Sequence, residues 1–109
     1  MLKAVLEEFG PTLYISYAVL YRFSEKSCPL LLIRFEDESK DDEFRLRLEL
    51  STLLPVMRLD VYNIRDLPRD LASHVLRFGD PIYIRRYEDY VRDLESSFVT
   101  HSAEAHDRS

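Results

Sequence analysis

The chain has 109 residues, 46% hydrophobic and 12% aromatic, which suits one cored domain and excludes a disordered chain. Its net charge of −5 argues against a general nucleic-acid coat or an anionic-membrane binder. A single cysteine excludes a disulfide framework and a multi-cysteine zinc site, and two glycines leave no glycine-rich phosphate loop.

In chain order, residues 2–9 set Leu2, Val5, Leu6 and Phe9 on one helical face, and Gly10-Pro11 stops that helix. Thr12 to Ala18 is rich in aromatic and β-branched residues and predicts a strand. Residues 19–28 are ambiguous: Val19, Leu20 and Phe23 fit one helical turn, followed by a loop. Leu30 to Phe35 is an apolar run of the kind found in a central strand covered on both faces. A helix from about 40 to 54 follows, with Ser39 and Asp42 at capping-box spacing, acids in its first turn and Pro55 as the stop. Leu46, Leu50, Leu53 and Leu54 mark its apolar side, although Phe44 to Leu50 also alternates as a strand would. Val56 to Asn63 alternates and predicts a strand. Residues 66–78 predict a helix with Asp66 as N-cap, Pro68 in the first turn, Gly79 at the C-cap, and Leu71, His74, Val75 and Phe78 on the apolar face. Pro81 to Ile84 reads as a short strand, and Tyr87 to Phe98 as an amphipathic helix through Tyr87, Val91, Leu94 and Phe98. The expected architecture is α/β (α+β): one domain over residues 1–99, a mixed sheet of about four strands with helices packed on it, and a disordered tail over 100–109. No apolar run approaches ~18 residues and no signal-peptide core opens the chain, so a soluble, cytoplasmic protein is expected.

The acidity is local. Residues 36–43 hold six acids and one lysine, and the remainder balances at 14 acids against 14 bases. The run lacks the alternating ligands and turn glycine of a calcium loop, so it is expected to be a solvated loop and helix start, or a docking patch for a basic partner. Cys28, between Ser27 and Pro29, lacks a well-placed base: His101 and His106 fall in the tail, and His74 on an apolar helix face. The expectations are a buried or half-buried inert thiol, a core-edge His74 bonded to a carbonyl, and no metal at His101 and His106. Seven tyrosines, with little basic surface beside them, are expected to pack in the core and at interfaces rather than stack on bases. Those on the last helix leave a homodimer open.

Four phrases fall in order between these elements: Tyr14–Leu20 (YISYAVL), Ser27–Ile33 (SCPLLLI), Leu59-Asp60-Val61 and Val75–Tyr83 (VLRFGDPIY). With the element order, over about residues 2–98, they resemble the minimal nucleotidyltransferase (MNT) domain of the DNA polymerase β superfamily. The family pattern has Gly-Ser-x-x-x-Gly after the first strand, opening a short helix, and Ser-Asp-x-Asp leading into the second strand. A third Asp follows in a Val-Asp-Leu strand, then a Gly-x-x-Leu-Tyr phrase and a final helix. In the family the three aspartates hold two Mg²⁺ ions that bind a nucleoside triphosphate, and the Gly-Ser turn admits its phosphates to backbone amides.

The decisive positions differ here. Ile15 and Leu20 replace the glycines, and Cys28 and Leu30 replace the paired metal-binding aspartates. Ser16 and Asp60 match the pattern as vestigial candidates, Asp60 alone as a vestigial metal ligand, and Glu25 lies near the pair without supporting spacing. The resemblance therefore implies a pseudoenzyme: a non-catalytic nucleotidyltransferase-like binding module with no cofactor. By family association it also implies a protein partner, the HEPN-domain ribonuclease toxin of a toxin–antitoxin pair. Its alternative is an active enzyme transferring AMP from ATP with Mg²⁺ through unconventional ligands. A small α/β regulatory domain outside the family is the third reading.

Overall fold

The computed structural model describes residues 2–50 and 59–107, with side chains over 2–46 and 59–97. The described strands β1 (Ile15–Tyr21), β2 (Leu30–Phe35), β3 (Asp60–Asn63) and β4 (Asp80–Ile84) form one mixed sheet in the order β3-β2-β1-β4. β1 pairs antiparallel with β2 and with β4, while β2 pairs parallel with β3. The described helices are α1 (Leu2–Phe9), α2 (Asp41–Leu50), α3 (Arg69–Phe78) and α4 (Tyr87–Asp107). Among the described residues, no helix is long and apolar enough to cross a membrane.

Strand alternation sorts the apolar side chains into two cores. Leu31, Ile33 and Phe35 of β2 join Ile15 and Ala18 of β1, Leu2 and Leu6 of α1, and Phe44 of α2 on one face. Leu30 and Leu32 of β2 join Tyr17 and Val19 of β1 and Val75 and Leu76 of α3 on the other, with Tyr90 and Leu94 of α4 packed against them. The apolar run of β2 is thus explained, since a strand covered on both faces needs no polar side. Burying each of its leucines contributes about 1.5–3 kcal/mol.

Several boundaries move from the sequence expectation. β1 is later than Thr12–Ala18, and Val19 and Leu20 belong to it rather than to a helical turn. Neighbours on both sides give these residues a full ladder, which a lone helical turn lacks. Ser39 is not the cap of α2: it lies in a 3₁₀ turn over Glu38–Lys40 that Asp37 caps, donating its backbone N–H to Asp37 Oδ1 at 3.0 Å and its hydroxyl at 2.7 Å. Leu46, expected on the apolar side of α2, is 56% exposed, and Phe44 instead packs edge-to-face on Phe35 at 5.8 Å. The rest of that helix's predicted span, and the first part of the strand predicted over 56–63, lie outside the described residues.

At α3 the N-cap is Pro68, with Asp66 ending a separate 3₁₀ turn capped by Asn63. Gly79 is the C-cap as expected. The buried face of α3 is Ala72, Val75 and Leu76, and Phe78 points outward at 64% exposure. α4 runs past Phe98, the expected end, to Asp107. Its inner positions are Tyr90, Asp93 and Leu94, while Tyr87 is 65% exposed.

Both glycines mark close approaches within the fold. A Cβ at Gly79 would lie 2.5 Å from Val19 Cγ1, and one at Gly10 would run into the Tyr83 hydroxyl. Neither faces open space for a phosphate.

Candidate functional site

The parallel register sets Leu30 beside Asp60, bringing together two of the positions singled out in the sequence. Paired residues of adjacent strands leave a sheet on the same face. Asp60 is exposed and its backbone N–H donates to Pro29 O at 3.0 Å. Leu30 is 4% exposed and packs with Tyr17, Leu32 and Val75. Cys28 stands in the loop ahead of β2 and is exposed, not the buried or half-buried thiol expected. That loop turns Pro29 inward and leaves its neighbour outside.

Ser16 lies at the other end of the sheet. Because β1 is antiparallel to β2, Ile15 sits opposite Phe35 whereas Tyr21 sits opposite Leu30. At ~3.3 Å per residue, Ser16 is about 15 Å from the Leu30–Asp60 end. It shares no site with Asp60. Ile15 is a fully buried strand residue, so residues 15–20 form no turn and open no helix. The turn that follows the first strand is residues 22–29, where Ser24 N–H donates to Ser27 Oγ at 3.0 Å and Ser27 Oγ donates to Ser24 O at 3.0 Å. Of these two serines, the sequence pattern singles out Ser27 and not Ser24. The unbroken run of strand formers from Ile15 to Tyr21 was the signal for a later turn.

These residues do not fit a two-metal nucleotide centre. Such a centre needs several oxygen ligands converging from fixed positions. Leu30, at a position where the resemblance implies a ligand, is packed into the core, and Asp60 stands beside it. Among the described residues, no group of three or more His, Cys, Asp and Glu side chains is placed to hold a metal ion.

The same end of the sheet carries an aromatic row. Tyr21 packs edge-to-face on Phe23 at 4.9 Å and on His74 at 5.2 Å, and His74 meets Phe78 at 4.8 Å. The Tyr21 hydroxyl and His74 Nε2 share a 2.7 Å hydrogen bond, so His74 is bonded to a phenol rather than the expected carbonyl. Phe23 is 52% exposed. With Phe78, it leaves two large apolar rings facing solvent.

At the Ser16 end the chemistry is structural. A one-residue register slip between Ile15 and Tyr17 turns both Ser16 and Tyr17 toward α4. Ser16 Oγ donates to Asp89 Oδ2 at 2.8 Å, Tyr17 OH to Asp93 Oδ2 at 2.7 Å, and Arg34 to the same Asp93 oxygen at 2.5 Å. The hydrogen bond from Ser16 holds Asp89 below the usual carboxylate range, with help from Arg34, Arg92 and Arg86 against the opposing effect of burial. Burial, then the bond to Asp93, pushes the Tyr17 phenol far above its ordinary value. Tyr17 is therefore a fixed donor across the accessible pH range.

The acidic segment is largely spent inside the molecule. Glu36 pairs with Arg85 and Arg86, Asp41 with Arg45 at 2.9 Å, and Glu38 with Arg65 at 3.4 Å. Asn63, 1% exposed, donates to Glu38 at 2.6 Å and accepts from Arg65 N–H at 3.2 Å, tying β3 to the start of α2. These pairings engage Glu36, Glu38 and Asp41, while Asp37 is exposed and its carboxylate accepts from Ser39.

No family model matches the chain, and no curated protein matches it. Among solved structures it is similar to the MNT antitoxin in a complex with a tri-AMPylated HEPN toxin from Shewanella oneidensis. The similarity has a TM-score of 0.60 at 14% identity and covers 97% of this chain and 92% of the other. At that identity the likeness is one of architecture. The chain has an MNT-like fold: a mixed four-stranded sheet with helices on both faces.

Proposed function

We propose that this chain is a non-catalytic binding module, a pseudoenzyme on the nucleotidyltransferase scaffold of the polymerase β superfamily. In this reading it is the cytoplasmic antitoxin of a HEPN-type toxin. The observation that carries the reading is Leu30. Where a transferase needs a carboxylate beside Asp60, a leucine is packed into the core at 4% exposure. One exposed carboxylate does not hold a pair of divalent ions, so the module works without ATP or Mg²⁺. Asp60 is then an idle vestige of the family pattern, whereas Ser16, inside β1 and about 15 Å away, occupies no turn and serves to hold α4.

Two further points support a protein partner. The similar MNT antitoxin is found in complex with a HEPN toxin. The row ending in Phe23 and Phe78 is apolar surface of the kind that partners cover. Neutralisation by such a module is occlusion: the toxin is covered, not modified.

The test is co-expression with a small all-helical HEPN-domain protein encoded beside this gene. Growth should be restored and the two chains should co-purify, with Asp60→Asn as effective as the parent chain. A Phe23→Ser/Phe78→Ser variant should bind at least about tenfold more weakly. The reading is overturned by absence of a complex, or by AMP added to the toxin and lost with Asp60→Asn.

A further inference from the structure

β4 is the outer strand of the sheet, bonded to β1 on one side. Along its other edge runs an open groove of about 350 Å³, lined by Lys3, Glu7, Pro81, Ile82, Tyr83 and Ile84. Among the described residues, no strand is bonded to that edge. α1 runs beside β4 in the same direction. Its C-terminal Gly10 abuts the Tyr83 hydroxyl, and residues 11–14 then lead to the start of β1, the part that pairs with Ile84. Lys3 therefore lies toward the Asp80 end and Glu7 toward the Ile84 end. Both side chains are exposed, one helical turn apart, and neither makes an ion pair among the described residues.

We propose that two copies of this chain pair through the free edges of β4, antiparallel about a two-fold axis, to make one continuous sheet. The two-fold reverses α1 of one copy relative to α1 of the other. Lys3 then faces the partner's Glu7, and Glu7 faces the partner's Lys3. Such self-complementarity is what an isologous contact requires. A short edge strand with a proline and charges beside it is guarded against indiscriminate pairing, but the two charges here are of opposite sign and attract across the two-fold. Ile82 and Ile84 contribute backbone groups and apolar surface. Pro81 has no N–H to give, so the added ladder is short and the α1 contacts carry the specificity. The inference is independent of the antitoxin reading.

Light scattering on the full chain from about 1 to about 100 µM tests it, since that range spans the affinities of modest interfaces. The mass should rise with concentration from 12.9 kDa to twice that value. Lys3→Glu and Glu7→Lys each convert both attractions into repulsions and should raise the dimer Kd at least about tenfold. The double charge swap should return it to within about threefold of the parent chain. Circular dichroism checks that the variants stay folded. Amide exchange within Ile82–Ile84 should slow as the dimer forms. A single-chain mass at every concentration, a dimer indifferent to the single reversals, a double swap that fails to restore, or concentration-independent exchange in β4 each overturns the proposal.

Discussion

Asp89 and Asp93 stand about one turn apart on α4, and each is met by a hydroxyl from β1, Ser16 Oγ at 2.8 Å and Tyr17 OH at 2.7 Å. The Asp89 pair has a pH signature. Its folded pKa is depressed, so near pH 3–4 the native state binds fewer protons at this group than the unfolded chain does. The stabilisation is fully present above the unfolded value, about 4, and is lost as pH falls through the lower folded value. Urea unfolding from about pH 6 to about pH 3 should show stability falling with acid, and Asp89→Asn should flatten that limb. Ser16→Ala removes the largest cause of the depression, so it should flatten the acid limb as well. An unchanged limb in both variants would refute the assignment. Neither aspartate was legible beforehand, because nothing in the local pattern distinguishes them from other solvated acids on an amphipathic helix. Ser16 was legible as a position but not as a partner, since its partner is 73 residues away.

At the scale of elements, the β2–β3 pair decides what the would-be catalytic end can tolerate. Cys28 is exposed, whereas Leu30 has its side chain among Tyr17, Leu32 and Val75. Restoring the family's aspartates should therefore split into two outcomes. Cys28→Asp should change stability by less than about 0.5 kcal/mol, and Leu30→Asp should cost about 3 kcal/mol or more, because it buries a carboxylate without a cation. Thermal and urea unfolding of both variants checks this; a Leu30→Asp chain as stable as the parent would mean that the strand register differs. β2 was legible from its run of apolar residues, and α1, β4 and the α3 C-cap from their own residues. The end of β1 was not, because Val19 and Leu20 suit a strand or a helical turn until neighbours on both sides select the strand. The 3₁₀ turn that Asp37 caps ahead of α2 was not legible for a related reason: Asp37 and Ser39 each suit a helix start, and the choice depends on how β2 ends.

For the whole molecule, the prediction concerns nucleotide. A ligand that binds the folded state stabilises it by about 2.7 kcal/mol at a hundred times its Kd, several degrees in Tm for a domain of this size. Millimolar ATP with Mg²⁺ should leave the Tm unchanged, and isothermal calorimetry should show no heat of binding. A rise in Tm that disappears with Asp60→Asn would reverse the functional reading.

The mixed sheet with its helices and the doubly covered β2 were legible in the sequence alone. These follow from composition and from periods of two and 3.6 residues, which are local properties of the chain. Only the tertiary structure decided that Ser16 and Asp60 lie at opposite ends of the sheet. It alone showed that the two glycines serve packing and that Glu36, Glu38 and Asp41 of the acidic segment pair with Arg45, Arg65, Arg85 and Arg86. The physical reason is strand direction and long-range pairing: which groups meet depends on whether a neighbouring strand runs up or down, and no local pattern encodes that.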